Sequence, residues 1–111
     1  MTEKHCIACH AGMPTLDESA ILLRLDALPG WRYDKNTASL IRDCQFKGFY
    51  KAMAFANAVA WIAHEEKHHP DMTISYNRVV VHYQTHAVGG ITENDFICAE
   101  KINALLALDA T

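Results

Sequence analysis

Residues 49–64 read FYKAMAFANAVAWIAH, and this stretch decides the fold. It is apolar nearly all the way round, which predicts a helix over residues 48–67 that is buried on two sides, by its own sheet and by a partner subunit. Pro70 cannot continue a helix, because it lacks a backbone N–H and restricts the residue before it. The helix is therefore expected to end around His68, and the rest of the chain must supply the layer that covers it.

Two pairs of strands flank this helix. Residues 31–35 and 39–46 precede it and are joined by a turn near Asn36, and residues 72–76 and 78–85 follow it. In the last strand, one set of side chains is expected to face the core and the alternate set to face away, namely Val79, Val81 and Tyr83 against His82, Gln84 and His86. In the second strand Leu40, Cys44 and Phe46 should share a face, although Arg42 lies in the same row.

One further helix is expected before the first strand and another after the last strand. The first begins with T-L-D-E, a capping box from Thr15 to Glu18, and ends at Pro29-Gly30. Its apolar face is formed by Ile21, Leu22, Leu25 and Leu28. The last helix follows the Gly89-Gly90 turn and is capped by Thr92-x-x-Asp95, with one side lined by Ile97, Lys101, Leu105 and Leu108.

The predicted order is α-β-β-α-β-β-α. Strands paired in hairpins and separated by helices indicate an α+β fold, a four-stranded antiparallel sheet with helices on one face. Residues 1–14 show no hydrophobic periodicity, so we expect a flexible N-terminal arm followed by one domain over residues 15–111.

Composition narrows the classes of function. Hydrophobic residues make up 50% of the 111 residues and the formal net charge is −3, which argues against a nucleic-acid-binding surface. No apolar run approaches the roughly 20 residues of a membrane span, and the N-terminus does not look like a secretory signal. We therefore expect a cytoplasmic protein without membrane contact, whose four cysteines are thiols.

The segment HEEKHHPD, residues 64–71, permits three interpretations. His64-Glu65-x-x-His68 matches the zinc-protease string, but Pro70 interrupts the helix and no third ligand follows in a recognised spacing. The histidines could instead cap the helix C-terminus, where a positive charge is favoured. They could also carry acid/base chemistry without metal, because a protonated imidazole at a helix end and a second histidine from a neighbouring strand suit the removal of water.

The N-terminal arm carries a separate motif. Cys-Ile-Ala-Cys-His, residues 6–10, matches the c-type haem attachment string, which would require export to an oxidising compartment. A thiolate-and-imidazole metal site using Cys6, Cys9 and His5 or His10 is a second possibility. The sequence does not decide the role of this motif.

The spaced histidines resemble the signature of the pterin-4a-carbinolamine dehydratases. The similarity includes His64-x-x-x-His68-His69-Pro70, then Tyr76, His86 and Asp95. It extends to Leu28-Pro29-Gly30-Trp31, Phe46-Lys47-Gly48-Phe49, the strand Tyr76-Asn77-Arg78-Val79-Val80-Val81 through Thr85-His86, and Gly90-Ile91-Thr92. The resemblance covers about residues 15–108, and the family's fold has the element order predicted above.

The resemblance implies a dehydratase that converts 4a-hydroxytetrahydropterin to quinonoid dihydropterin, the recycling step after an aromatic amino-acid hydroxylase such as phenylalanine hydroxylase. It implies no metal and no organic cofactor. The apolar surface of the helix over residues 48–67 indicates a homodimer or homotetramer. The catalytic residues by this resemblance are His68, His69, His86 and Asp95, and the substrate-binding residues are His69, Tyr76 and Thr85. We expect His68 to be the main general acid, His86 to assist proton transfer and His69 to position the pterin.

Alternatives remain for the protein and for single residues. Animal relatives of the family also act as dimerisation cofactors for a transcription factor, so an oligomeric binding module is the rival function. Asp95 could serve mainly as the capping partner of Thr92. Family members often carry a carboxylate at the position of His64, and a charged imidazole there would lower the pKa of His68.

Overall fold

The computed structural model describes residues 4–109 and contains three helices and four strands in that range. These elements are α1 (Glu18–Leu25), β1 (Trp31–Asp34), β2 (Ser39–Gln45), α2 (Phe49–Glu66), β3 (Asp71–Ser75), β4 (Arg78–Tyr83) and α3 (Glu93–Asp109). The strands form one sheet in the order β1-β2-β4-β3, and every neighbouring pair is antiparallel. The predicted α+β fold and element order are confirmed.

The core lies between the sheet and the helices. Strand β4 places Val79, Val81 and Tyr83 in the core, as its alternation predicts, and Leu40 and Cys44 lie on the same face of β2. Helix α2 packs on this face through Ala52, Phe55, Ala56 and Val59. Its remaining surface includes exposed aromatic side chains, of which Tyr50 and Trp61 are the most exposed.

Helix α2 ends at Glu66, two residues before His68. Its C-cap is Lys67, which has a left-handed backbone with φ 54° and donates its N–H to the carbonyl of Ala63. A left-handed residue reverses the chain direction at a helix end. His68 and His69 therefore lie in the connection to β3, and the angular separation that two adjacent helical residues would have does not apply to them.

Arg42 is the polar residue that interrupts the apolar row of β2. Its guanidinium donates to Oδ1 of Asn103 on α3 at 2.8 Å and also bonds the carbonyl of Pro29. Gly30 leaves the space for this contact: it has φ +88°, and a Cβ there would lie 2.1 Å from Nη1 of Arg42. Arg42 thus ties β2 to α3 and to the turn before β1.

The first helix begins later than its capping box predicts. Asp17 is the N-cap, and its carboxylate accepts from the N–H of Ala20 at 2.8 Å. Leu16 is held in a different arrangement, because its N–H donates to the carbonyl of Ile91 at 2.9 Å. The prediction of Thr15 as the cap is therefore wrong, since a long-range backbone bond keeps the preceding residue outside the helix.

The cap of the last helix is confirmed. The backbone N–H of Thr92 donates to Oδ2 of Asp95 at 2.9 Å, which is the reciprocal bond of a capping box. The predicted apolar side is only partly right: Ile97 is buried, but Leu108 is 69% exposed. The face that packs in the core carries Phe96, Cys98, Ala99 and Ile102.

Residues 4–14 contain neither helix nor strand, yet they contact the domain. The N–H of Cys6 donates to Oε1 of Glu66 at 2.7 Å, and Ile7 exchanges two hydrogen bonds with the side chain of Asn94. The mobility expected of this arm in solution stays a prediction. None of the helices within residues 4–109 is both long and apolar enough to cross a membrane.

Candidate active site

A buried histidine and a buried carboxylate form the centre of the site. His68 follows α2 and is 6% exposed, and Asp95 in the first turn of α3 is fully buried. His68 Nε2 and Asp95 Oδ1 are 2.6 Å apart. The length of this contact is typical of a strong, charge-assisted hydrogen bond. The two residues are 27 positions apart in sequence and meet because the connection after α2 lies over the start of α3.

The carboxylate of Asp95 makes hydrogen bonds through both of its oxygens. Its Oδ2 accepts from the hydroxyl of Thr85 at 2.8 Å and from the N–H of Thr92 at 2.9 Å. Thr85 and Thr92 also share a hydroxyl contact of 2.8 Å. Thr85 is fully buried, so its hydroxyl orients Asp95 from within the protein and has no surface on which to bind a substrate.

The pKa of His68 is raised above its ordinary value. Burial by itself lowers the pKa of an imidazole, but the hydrogen bond and negative charge of Asp95 outweigh that effect, and Cys98 adds to it. His64, the residue that stands where relatives often carry a carboxylate, is exposed and lies against Trp61, with ring centroids 5.0 Å apart. The protonation state of His68 is thus governed by burial, Asp95 and Cys98.

Tyr83 holds the other side of the buried histidine. The two rings are 5.2 Å apart between centroids, and the Tyr83 hydroxyl donates to the backbone carbonyl of His68 at 3.1 Å. Burial raises the pKa of Tyr83, so its hydroxyl keeps its proton and acts as a donor. Tyr83 fixes the backbone from which the two adjacent histidines project.

His69 and His86 form the exposed part of the site. Both are solvent-exposed, and their ring centroids are 6.2 Å apart with the planes inclined by 32°. A cleft of about 510 Å³ opens beside His69 and is lined also by His64, His68 and Met72. The structure therefore brings four predicted catalytic residues together, with two accessible imidazoles above a buried, hydrogen-bonded pair.

Tyr76 is not brought to this site within one chain. It is 69% exposed and lies beside Gly48, at the N-terminal end of α2. His68 follows the C-terminal end of the same helix, and an 18-residue helix is roughly 27 Å long. Substrate binding by Tyr76 is a prediction that this geometry supports only if a second chain supplies the residue.

The zinc-protease string does not form a joint ligand set. His64 is exposed, whereas His68 is buried with Asp95 on one ring nitrogen and Cys9 near the other. Within residues 4–109 we find no group of three or more His, Cys, Asp or Glu side chains placed to share a metal ion. His5 and His10 of the arm are engaged elsewhere, with Glu66 and with the N–H of Gly12 respectively.

Sequence reasoning missed the approach of the arm to the site. Cys9 Sγ lies 3.6 Å from Nδ1 of His68, and Cys6 Sγ lies 3.6 Å from Sγ of Cys98 on α3. The C-x-x-C spacing marks the two arm cysteines, but no local pattern relates them to residues 68 and 98. Glu66 was missed for the same reason: it is buried and accepts from the N–H of Cys6, but nothing in the sequence distinguishes it from the other charged residues at the end of α2.

The chain is similar to known proteins along nearly its whole length. The sequence model of the family described as pterin 4 alpha carbinolamine dehydratase matches residues 14–105. A protein of Nitrosospira multiformis, provisionally named a pterin-4-alpha-carbinolamine dehydratase, is 46% identical over 97% of this chain and 94% of its own. A protein of Dechloromonas aromatica with the same provisional name is 44% identical over 97% of this chain and 95% of its own.

A solved structure is also similar. The crystal structure of a transcriptional coactivator/pterin dehydratase from Brucella melitensis superposes with a TM-score of 0.78 at 37% sequence identity. The match covers 82% of this chain and 97% of the Brucella chain.

Proposed function

Because the chain belongs to the pterin-4a-carbinolamine dehydratase family and is a hydro-lyase, we propose that it removes water from a 4a-hydroxytetrahydropterin to give the quinonoid dihydropterin. The observation that carries the proposal is the pairing of two exposed imidazoles, His69 and His86, above the buried His68–Asp95 pair. Dehydration requires a proton for the departing hydroxyl and a group that accepts a proton from the adjacent ring N–H. Histidine is the side chain that most often serves as a general acid or base, so two accessible imidazoles suit both tasks.

We assign the direct proton transfers to His69 and His86. Each is exposed, and their separation of 6.2 Å between centroids leaves room for a planar ring system to reach both. This assignment differs from the sequence-based expectation that His68 is the main general acid. Both ring nitrogens of His68 face protein groups, so contact with a substrate would require Cys9 to move aside.

His68 and Asp95 are positioning residues, which hold the chain segment that carries His69. The raised pKa of His68 favours its protonated form beside the cleft, and the backbone of His68 leads directly into His69. Burying such a charged pair costs several kcal/mol per ion in desolvation, which good geometry only partly offsets. A protein whose role were solely to bind a partner would have no physical need for this arrangement.

The decisive experiment follows the absorbance of freshly generated 4a-hydroxytetrahydropterin with protein pretreated with EDTA. We expect a rate well above the spontaneous one, and a loss of about 10²–10⁴-fold in kcat when both exposed histidines are replaced, His69→Ala with His86→Ala. His82→Ala is the matched control, because the side chain of His82 lies on the face of β4 opposite to Tyr83, the strand residue that contacts His68, and it should keep full activity.

Two results would contradict the proposal. Full activity of the double variant would exclude proton transfer by His69 and His86. Activity that disappears with EDTA and returns with zinc would show that the reaction depends on a metal.

The cellular setting is part of the proposal. We place the enzyme in the cytoplasm, where it recycles tetrahydropterin after an aromatic amino-acid hydroxylase such as phenylalanine hydroxylase. Exposed aromatic side chains on α2, Phe49, Tyr50 and Trp61, support a homodimer or homotetramer, because such groups are enriched at protein interfaces. Light scattering of the purified protein measures its molar mass directly, and a monomer at micromolar concentration would contradict the proposed homodimer or homotetramer.

The second candidate function is a regulatory binding module. It is favoured by the Brucella melitensis neighbour, whose name includes a transcriptional coactivator as well as a pterin dehydratase. The two functions are separated by one pair of measurements, the dehydration rate and the recovery of a regulatory protein by affinity capture. Recovery of a regulator without any turnover would favour the binding module.

A further inference from the structure

Three of the four cysteines meet between the arm and helix α3. Cys6 Sγ is 3.6 Å from Cys98 Sγ, while Cys9 Sγ is directed to His68 Nδ1, also at 3.6 Å. Asn94 holds both arm cysteines: its backbone carbonyl accepts from the thiol of Cys6 at 3.5 Å, and its side-chain amide lies 3.6 Å from Cys9 Sγ. The proposed dehydration uses none of these thiols.

Cys6 and Cys98 are close enough to bond after a small movement. A disulfide has an S–S distance of about 2.05 Å, so the two sulfurs must approach by roughly 1.5 Å. Cys98 is fixed in the core on α3, but Cys6 lies in a segment with neither helix nor strand. A change of that size at Cys6 therefore requires no break in a regular element.

We propose that Cys6 and Cys98 are an oxidation-sensitive thiol pair, which a low-molecular-weight disulfide such as oxidised glutathione converts to an intramolecular disulfide. In the first step the thiolate of Cys6 attacks one sulfur of the reagent, breaks its S–S bond and releases one thiolate. In the second step the thiolate of Cys98 attacks the Cys6 sulfur and releases the second thiolate. The two protein thiols lose two electrons and two protons, and one molecule of disulfide is reduced to two thiols.

The positions of the two sulfurs fit this order of attack. Cys6 is half-buried and can meet a reagent from solvent, whereas Cys98 is fully buried and can meet only Cys6. The hydrogen bond between them, together with contributions from Tyr83 and His68, lowers the pKa of Cys98, while the same bond and burial raise the pKa of Cys6. The lowered pKa of Cys98 favours the thiolate that the second step needs, whereas the raised pKa of Cys6 makes the first step the slow one.

The C-x-x-C partner Cys9 is the competing choice for Cys6. In the folded protein the Cys9 sulfur is engaged with His68 and Asn94, whereas the Cys6 sulfur already contacts Cys98. A Cys6–Cys98 bond would also fasten the arm to α3 and hold Cys9 against the site histidine. The attachment of the arm to the site would then depend on the redox state of its surroundings.

The test is disulfide mapping of the folded, full-length protein. It is equilibrated in an equimolar mixture of reduced and oxidised glutathione at millimolar concentration, alkylated and digested with trypsin. Cleavage after lysine and arginine leaves Cys6 in peptide 5–24 and Cys98 in peptide 79–101. We expect these two peptides to be linked in at least half of the protein, and the linked fraction to fall at least tenfold in denaturant, because only the folded chain holds the two thiols together.

Variants identify the cysteines and decide the outcome. Cys9→Ser should form the same cross-link, and Cys44→Ala, a buried cysteine in the sheet, is the matched control that should also form it. Cys98→Ser should stop at a mixed disulfide of Cys6 with glutathione, and Cys6→Ser must abolish the cross-link even if the Cys98 variant does not fold. A link within peptide 5–24, loss of the cross-link in Cys9→Ser, or no intramolecular disulfide in the native protein would overturn the proposal.

Discussion

Replacing Asp95 by Asn removes one buried charge and leaves the shape of the side chain almost unchanged. The amide oxygen can still accept from Thr85 and Thr92, as Oδ2 does at 2.8 and 2.9 Å. The amide nitrogen would then face His68 Nε2, which can accept a hydrogen bond only in the neutral imidazole. Without the carboxylate, Cys98 alone opposes the larger effect of burial, and the pKa of His68 should fall below its ordinary value.

The expected loss of stability depends on pH, and its sign follows from the direction of each shift. The pKa of His68 is raised in the folded wild type, so protonation of His68 contributes stability below the unfolded pKa, and this contribution is lost as pH rises through the folded pKa. In Asp95→Asn the shift is reversed, so protonation of His68 opposes folding at low pH. The penalty of the substitution should therefore be largest in acid and smallest in base.

The loss of stability has a different cause at each end of the pH range. At low pH the variant buries a charge on His68 without a partner, and at high pH it loses only part of a hydrogen bond. Below the unfolded pKa of about 6.5 we expect a loss of about 3–5 kcal/mol in the free energy of unfolding. Well above the folded pKa, where His68 is neutral in both proteins, we expect a loss of about 1–2 kcal/mol. The loss at low pH should therefore exceed the loss at high pH by about 2–3 kcal/mol.

The assay is urea denaturation of wild type and variant at a series of pH values, with the ¹⁵N chemical shifts of His68 reporting its protonation and tautomer. Asp43→Asn is the matched control, because it removes an exposed carboxylate paired with Arg78 at 2.7 Å and should show little dependence on pH in this range. An equal loss for Asp95→Asn at pH 5.5 and pH 9 would refute the assignment of a charged His68–Asp95 pair.

Two further predictions concern the long-range contacts of Arg42 and Glu66. Gly30→Ala should lower the free energy of unfolding by about 2–4 kcal/mol, because the residue has φ +88° and its Cβ would lie 2.1 Å from Arg42. Gly89→Ala is the control, because Gly89 has φ +63° but no atom lies within 4 Å of the new Cβ, and the free energy of unfolding should fall by only about 1 kcal/mol. Equal losses for the two variants in urea denaturation would contradict the role of Arg42. Glu66→Gln should speed amide hydrogen exchange at Cys6, whose N–H donates to Oε1 of Glu66 at 2.7 Å, and unchanged exchange would mean that other contacts hold the arm.

Local patterns in the sequence were sufficient for the order of the elements. The alternation of Val79, Val81 and Tyr83 has the period of a strand, and Pro70 limits α2, because both effects act between residues close in the chain. The Thr92–Asp95 cap was predicted for the same reason. The N-cap of α1 was missed, because the bond from Leu16 to Ile91 joins segments far apart in sequence.

The sequence by itself determined the fold class and the family, and it supplied the candidate histidines. Only the tertiary structure decided which of these residues are buried, which are exposed and which contact one another. It buried His68 with Asp95, left His69 and His86 exposed, and placed Tyr76 at the far end of α2. It also brought Cys6 to Cys98 across 92 positions. Periodicity and capping report interactions within a few residues, whereas burial and side-chain pairing depend on which distant segments the sheet and helices bring into contact.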